Sequence, residues 1–209
     1  MTSRAAATTS DAKNRRPPKA ERDKLRREQI VVAAQKCVVR HGFHAASMGA
    51  IAASAEMSVG QIYRYFANKE AIVHAIVEAI VERRLQSLME RPLRRLNAPD
   101  MARHLVTNVP EEFRDDDVLM LEATAEATRN PTVAQIVADA DRRLMTHAVA
   151  SFRSDHPHLD PRDVAARVEA LVTLFEGTLF RRLTGRGRSD ARIRKIYEAM
   201  IEGTLSKSD

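Results

Sequence analysis

Apolar side chains recur every three or four positions along most of the chain, which is the spacing of one face of an α-helix. The first such stripe contains Ile30, Ala34, Cys37 and Val38, and Gly42 follows at the position where a helix would end. No segment alternates apolar and polar residues over a useful length, so β-strands are not indicated. The pattern predicts an all-α protein of about nine helices.

Two very short helices follow the first stripe, and capping signals mark where each begins. Ser47 precedes the first, and Ser58 with Gln61 three residues later forms an S-x-x-Q capping box. Asn68 is the expected N-cap of a long helix that continues to about Glu90. Three helices in this order, with a tight turn between the short ones, are typical of a helix-turn-helix unit whose second short helix enters the DNA major groove.

The helical period continues beyond residue 90, where caps followed by proline mark further helix starts. Asn130-Pro131 and Asp160-Pro161 each place a capping side chain before proline in a first turn. The expected helices cover residues 100–109, 118–129, 131–154, 161–184 and 193–201.

The charges are unevenly distributed along the 209 residues, which carry a formal net charge of +6. Residues 1–90 hold 15 basic and 9 acidic side chains, whereas residues 91–209 hold 19 of each. The whole positive excess therefore lies in the front part, which favours contact with a polyanion such as nucleic acid. Residues 1–20 contain five basic side chains and almost no large apolar ones, so we expect a disordered basic tail there.

The composition argues against several classes of protein. A single cysteine excludes a disulfide framework and a thiolate-rich zinc site, and no stretch of about 18 uncharged apolar residues is present to span a membrane. No apolar segment of a secretory signal and no G-x-S-x-G or Ser-His-Asp pattern is found. The chain is therefore expected to be cytoplasmic, without membrane partner, metal or cofactor, and not an enzyme.

Three charged segments are interpreted as structural. The acidic run 115–117 is expected to begin a helix, because no oxygen-ligand spacing follows it. Arg181 and Arg182 are expected to belong to a solvated link between the last two helices. His156 and His158 are expected to be solvated imidazoles in a loop.

The stretch from Ile51 to Ile72 reads IAASAEMSVGQIYRYFANKEAI. Together with Gly42-Phe43 and Ser47, it resembles the DNA-binding signature of the TetR/AcrR family of transcriptional regulators. The resemblance implies a helix-turn-helix domain at 21–67, a connecting helix at 68–90, and a larger C-terminal helical bundle for ligand binding and dimerisation at 91–209. It also implies that the contacts to double-stranded DNA are made by Ser47, Ser58, Val59, Gly60, Gln61, Tyr63, Arg64, Tyr65 and Lys69.

The chemistry of these residues divides them into two groups. The resemblance implies that Val59, Gly60 and Gln61 approach base edges, with Arg64 a further candidate. The chemistry agrees for two of them, because glutamine pairs with adenine and valine contacts the thymine methyl group. By resemblance, phosphates are contacted by Ser47, Tyr63, Tyr65 and Lys69.

The chain departs from the family pattern at a few positions. Ala46 stands where the family commonly has Thr, Gly49 where it often has Arg, and Glu56 where it has a turn glycine. If that turn requires a positive φ, Glu56 costs about 1 kcal/mol.

The resemblance further implies that the last two helices pair with those of a second copy. Both helices have wide apolar faces at the chain end, and a dimer interface built from two helices of each copy requires such faces. The same faces can instead pack within their own domain. The expected interface consists of Val168, Leu171, Val172, Phe175, Leu179, Ile193, Ile196, Tyr197 and Met200.

A ligand pocket is expected in the C-terminal domain, lined mainly by aliphatic and Met side chains because the chain has no Trp. A small or medium apolar effector would bind there and release a homodimeric repressor from a palindromic operator by tilting the connecting helix. The candidate lining residues are Phe113, Met120, Leu121, Glu122, Met145, Phe152 and Phe175, with Glu126, His147 or Glu176 as further polar anchors.

Two other functions remain open from the sequence. A sequence-tolerant architectural DNA-binding protein would carry basic surface throughout, whereas residues 91–209 are neutral overall. A helical enzyme, or a small-molecule carrier without regulation, would need a catalytic or metal constellation or a large apolar tunnel.

Overall fold

The computed structural model describes residues 18–90, 97–107, 111–157, 159–187 and 190–206. Within these ranges the chain forms nine α-helices and no strand, which confirms the predicted fold class. Residues 1–17, which make up most of the expected basic tail, lie outside the described residues. The helices are α1 Lys19–Ala45, α2 Met48–Ser54, α3 Val59–Tyr63, α4 Lys69–Glu90, α5 Ala98–Val106, α6 Glu111–Ala127, α7 Pro131–Asp155, α8 Pro161–Leu183 and α9 Ala191–Leu205.

Side-chain caps fix the starts of the front helices as predicted. Ser47 Oγ accepts a hydrogen bond from the backbone N–H of Ala50 at 3.1 Å. Ser58 Oγ accepts from the backbone N–H of Gln61, and Gln61 Oε1 accepts from the backbone N–H of Ser58 at 2.8 Å, which completes the capping box. Asn68 caps α4 through its side-chain oxygen. These bonds satisfy N–H groups that a helix start otherwise leaves unpaired.

Two positions in the front part have a positive φ. Gly42 has φ 77° and ψ 164°, so it breaks α1 at the predicted end, and one further turn follows up to Ala45. Glu56, in the turn between α2 and α3, has φ 55°. The turn therefore does require the left-handed conformation, which strains any residue other than glycine.

Helices α5 and α6 begin earlier than the spacing predicts. Asn97 Oδ1 accepts from the backbone N–H of Asp100 at 2.9 Å, so α5 begins at Ala98 and Pro99 lies in its first turn. Helix α6 begins at Glu111, so the acidic run 115–117 lies inside the helix and does not begin it. Helix α5 also ends earlier than the expected residue 109, at Val106, where Thr107 leaves the helical conformation. By contrast, Asn130 and Asp160 cap α7 and α8 before proline as predicted.

One cluster of buried side chains joins the front helices to part of the rear segment, which we define as α5–α9. Ile30, Ile62, Phe66 and Ile80 are at most 1% exposed in this cluster, and Val133 of α7 is fully buried with them. Burying side chains of this size contributes about 1.5–3 kcal/mol each. Helices α1–α4 therefore share their core with α6 and the first half of α7.

A second cluster holds the rest of the rear segment together. Leu105 of α5, Phe152 of α7, Val164 of α8 and Ile201 of α9 are each at most 3% exposed in this cluster. No described helix is long and apolar enough to span a membrane.

Candidate nucleic-acid interface

Helix α3 presents one face to solvent and anchors the other in the core. Ile62 is fully buried, whereas Val59 and Tyr63 are 41% and 53% exposed. An α-helix with its side chains is about 10–12 Å wide, which fits a major groove about 12 Å wide. The exposed residues of this segment are Val59, Gly60, Gln61, Tyr63 and Arg64.

Gln61 has a structural role in addition to its predicted contact with a base. Its Oε1 accepts from the backbone N–H of Ser58, while the side chain remains exposed to solvent. The Nε2 amide group keeps its two donors, which match acceptors on base edges. The capping box thus holds the Gln61 side chain at the start of α3 with its donors available.

The two serine caps leave a donor on each hydroxyl group. Ser47 Oγ and Ser58 Oγ accept from backbone N–H groups at 3.1 and 3.2 Å. Both residues are exposed, and a hydroxyl group donates one hydrogen bond while it accepts others. Ser47, Ser58 and the exposed Tyr63 therefore lie on the surface of α2 and α3 with donors suited to phosphate.

Tyr65 and Lys69, which are predicted to contact phosphates, both have polar contacts within their own chain. The Tyr65 hydroxyl lies 3.5 Å from Asp23 Oδ1, and the residue is half-buried. Lys69 Nζ donates to the carbonyl oxygen of Phe43, lies 3.4 Å from that of His44, and is 4.5 Å from the centre of the Phe43 ring. Burial lowers the pKa of Lys69.

The expected ligand-pocket residues are distributed over both cores. Met120 packs against the first cluster, and Met145 and Phe175 pack against the second. Phe152 is buried in the second cluster, where the His156 ring stacks on it with 4.2 Å between ring centres. His156 is therefore not a solvated imidazole, and His158 lies outside the described residues.

The remaining pocket candidates also have separate surroundings. Glu122 accepts from the backbone N–H of Phe43 at 2.8 Å, so it faces α1. Glu126 pairs with Arg129 at 2.6 Å. Leu121 and His147 are half-buried, and the side chain of Phe113 lies outside the described residues.

An open groove of about 1090 Å³ lies along α7 and is bordered by Glu169 of α8. Met145 and Val149 give it an apolar lining, and Asp141 and Glu169 give it carboxylates. Burial and the neighbouring Asp141 carboxylate raise the pKa of Glu176. The lining also includes Arg153 and Arg142, and Arg142 pairs with Asp139 at 2.7 Å. This side of the rear segment therefore combines an apolar surface with charges of both signs.

The expected dimer residues on α8 and α9 differ widely in exposure. Val168 and Leu171 are only 4% and 8% exposed because they belong to the chain's own second cluster, so they have little surface for a partner. Ile196 and Met200 are 55% and 51% exposed. Val172, Phe175, Leu179, Ile193 and Tyr197 are half-buried.

Phe180 is an exposed apolar residue that the sequence interpretation missed. It is 45% exposed on α8, and the Arg186 guanidinium lies 5.2 Å from its ring centre. The helical stripe that includes Phe175 and Leu179 gave no reason to select it, since Phe180 lies outside that stripe.

Charged residues between α4 and the rear segment were also missed. Arg83 donates twice to the Asp116 carboxylate, at 3.0 and 2.5 Å, and Arg84 donates to Asp117 at 3.0 Å. Burial raises the pKa of Asp117, and Arg84 opposes this rise. The acidic run in α6 thus binds the last turns of α4.

Arg182 is not part of a solvated link, contrary to the prediction. Its Nη1 donates to the carbonyl oxygens of His104 and Thr107 at 3.2 and 2.6 Å. These acceptors lie at the end of α5, where carbonyl groups lack helical partners. Arg182 therefore connects α8 to α5.

Family comparisons agree with both parts of the chain. A model of the tetR family of bacterial regulatory proteins matches residues 30–76. A model of the C-terminal part of BetI-type transcriptional repressors matches residues 100–206, slightly more than half of the chain. The HTH-type transcriptional regulator UidR of Escherichia coli strain K12 is 34% identical over 111 residues, which are 53% of this chain and 56% of UidR. The chain thus spans a little over half the length of this relative.

Solved structures show the same fold. Salmonella enterica GusR gives a TM-score of 0.69 at 23% identity, with 87% of this chain and 95% of GusR covered. A regulator from Saccharomonospora viridis, solved in complex with choline, gives a TM-score of 0.61 at 24% identity, with 86% and 96% of the two chains covered.

Proposed function

Because the chain belongs to the TetR family of bacterial regulatory proteins, we propose that it is a DNA-binding transcriptional regulator and a homodimeric repressor. A small molecule bound in the rear segment releases it from a palindromic operator. The observation that carries this proposal is the exposed face of α3. The helix is anchored by the buried Ile62, and its solvent side presents the amide donors of Gln61 and the apolar side chain of Val59. A helix with these features suits reading of base edges in the major groove.

The dimer is supported by exposed apolar side chains at the chain end. Phe180, Ile196 and Met200 are each about half exposed, on two helices that also pack against each other. Exposed apolar surface of this kind is typical of an interaction face. In our proposal these three residues replace Val168 and Leu171, and two copies joined here present two reading helices to the two half-sites of a palindrome.

The groove between α7 and α8 is the proposed effector site. Met145 and Val149 provide the aliphatic and Met lining that was expected, and Asp141 and Glu169 add carboxylates beside Arg153 and the Asp139-paired Arg142. An apolar molecule with a positively charged group fits this combination, because the carboxylates compensate its charge. The choline in the Saccharomonospora viridis regulator is a molecule of this class.

Selection of DNA by the intact protein tests the proposed function. The wild-type chain is incubated with a pool of random duplexes, and bound duplexes are recovered and sequenced over several rounds. We expect enrichment of an inverted repeat with half-sites near one duplex turn apart, about 34–36 Å, or a multiple of it. Binding of all duplexes without enrichment would instead favour the architectural DNA-binding protein.

A further inference from the structure

The backbone around Phe43 is held from two sides at the point where α1 is broken. Gly42 has φ 77°, and the turn that follows it ends at Ala45, two residues before Ser47, the N-cap of α2. The Phe43 N–H donates to Glu122 of α6, and the Phe43 carbonyl accepts from Lys69 of α4. This short segment therefore connects three helices immediately before the helix-turn-helix.

Glu122 makes its contact from the rear segment, 79 residues away in sequence. Its Oε2 lies 2.8 Å from the Phe43 nitrogen. A Cβ atom on Gly42 would lie 3.3 Å from the same oxygen, so the carboxylate packs directly against the glycine backbone. Phe43 is 5% exposed, and a buried N–H group without an acceptor is costly. Glu122 is thus the acceptor that permits the break in α1.

Two neighbouring contacts connect the same end of α6 to the start of α4. The Asn130 side chain, at the start of α7, donates to Glu70 Oε1 at 3.3 Å. Glu126, one turn beyond Glu122, faces Lys69 closely enough for its negative charge to raise the pKa of that residue against the larger effect of burial. The second half of α6 and the start of α7 therefore contact the chain on both sides of the helix-turn-helix, at Phe43 and at the start of α4.

The first half of α6 is bound to the last turns of α4 and faces α8. Asp116 and Asp117 pair with Arg83 and Arg84 of α4, and Arg182 of α8 also faces Asp117. A helix transmits a shift along its length because its backbone is hydrogen-bonded throughout. A displacement of these pairs would thus reach Glu122 directly.

We propose that Glu122 is a positioning residue for operator binding. Its carboxylate, carried by the rear segment, sets the position of Phe43 and thereby the orientation of α2 and α3. The inference rests on the proposed function, and its new content is the role of the single contact between Glu122 and Phe43. Because the contact depends on the length of the side chain, glutamine at position 122 should preserve it, whereas the shorter aspartate should lose it.

Three variants of Glu122 and one control test this inference. Glu122→Gln keeps the length and an acceptor oxygen, Glu122→Asp keeps the charge but loses one methylene group, and Glu122→Ala removes the acceptor. Asp115→Asn changes an exposed carboxylate on the same helix and is the matched control. Affinity is measured by fluorescence anisotropy for a duplex enriched by the wild-type protein and for a random duplex of equal length. Amide hydrogen exchange at Phe43 is measured in the DNA-free proteins.

We expect Glu122→Ala and Glu122→Asp to bind the enriched duplex about tenfold more weakly, which is the effect of losing one hydrogen bond. Binding to the random duplex should be unchanged, because non-specific binding depends on phosphate contacts and not on a fixed orientation. Glu122→Gln and Asp115→Asn should match the wild type. Exchange at Phe43 should be faster in Glu122→Asp than in Glu122→Gln, which reports the contact even if Glu122→Ala does not fold.

Wild-type affinity in Glu122→Asp, or a loss in Glu122→Gln as large as in Glu122→Asp, would overturn the inference and leave the proposed function intact. Failure of the wild type to enrich any duplex would overturn the proposed function, and this inference with it, before any variant is made.

Discussion

Glu56 holds the turn between α2 and α3 at φ 55°, a conformation that glycine adopts without strain. The residue is exposed, and its backbone N–H donates to the carbonyl oxygen of Ala53 at 3.2 Å. The strain is therefore a property of the backbone and not of a side-chain contact. The sequence resemblance identified the position, since the family carries glycine there.

Glu56→Gly is expected to raise the free energy of unfolding by up to about 1 kcal/mol, because it relieves the strained φ. Urea unfolding followed by circular dichroism measures the change. Glu56→Ala is the control, since alanine has a Cβ atom and keeps the strain. An equal gain in both variants would show that the Glu56 side chain, and not its φ, limits stability.

The Arg84–Asp117 pair joins α4 to α6, and its charges affect the free energy of unfolding. The Asp117 side chain is 14% exposed, and burial raises its pKa above the ordinary 3.8 even though Arg84 opposes the rise. A carboxyl group with a raised pKa binds its proton more tightly in the folded state. Its ionisation therefore lowers stability as the pH rises from about 4 through the folded pKa.

Arg84→Gln should lower the free energy of unfolding by about 1–3 kcal/mol at pH 7, because it leaves Asp117 charged with only Arg182 nearby. The pKa of Asp117 then rises further, so the loss should shrink as the pH is lowered towards 4. Urea unfolding at both pH values measures this. Arg103→Gln, which breaks the exposed pair with Asp100, should change stability by less than about 1 kcal/mol. A loss that is the same at both pH values would contradict the assignment.

At the scale of helices, local capping chemistry was predictable and long-range packing was not. Ser47, Ser58, Asn130 and Asp160 cap the helices that the sequence assigned to them, since a cap acts within three residues of its own position. Helix α6 begins before its expected start, and Asp116 and Asp117 inside it pair with arginines of α4, 33 residues earlier in the chain. No local sequence pattern predicts a pairing between residues so far apart in the chain.

The faces of α8 and α9 were only partly predictable for the same reason. A stripe of apolar residues shows that a helix buries one side, but it does not show whether the partner is the same chain or a second copy. Val168 is buried internally, whereas Ile196 on α9 remains exposed. Exposure in the folded chain separates the two cases.

Ile196→Arg and Met200→Arg should each yield monomers, because each places an unpaired charge in an apolar interface. Sedimentation equilibrium measures the mass. Leu25→Arg is the control, since Leu25 is an equally exposed apolar residue, at 53%, on α1. An unchanged dimer in both α9 variants would place the interface elsewhere.

At the scale of the whole molecule, the sequence assigned the reading helix but not the ligand site. The residues expected to line one pocket lie in two separate cores, and Glu122 faces α1. The DNA-binding signature lies within about twenty consecutive positions, whereas a pocket is assembled from helices far apart in sequence. Its lining therefore depends on how those helices pack.

Binding of effector and operator should oppose each other by a coupling free energy of about 1–3 kcal/mol, equal in both directions. Choline is the probe, and 3,3-dimethylbutan-1-ol, which has the same shape without the charge, is the matched neutral control. Calorimetric titration with and without the enriched duplex measures the coupling. Choline should bind more tightly than the alcohol, and Asp141→Asn should remove that preference. Equal binding of both probes would contradict a cation-binding groove.

The central claim is that α3 reads base edges in two symmetric half-sites, and a change of Gln61 tests it most directly. Gln61→Glu keeps an oxygen for the Ser58 N–H, and therefore the capping box, but removes the Nε2 donors. DNA selection is repeated with this variant and compared with the wild type. We predict that the preferred base changes at one position in each half-site, from adenine towards cytosine, while the spacing stays the same. An enriched sequence identical to that of the wild type would contradict base reading by Gln61 on α3.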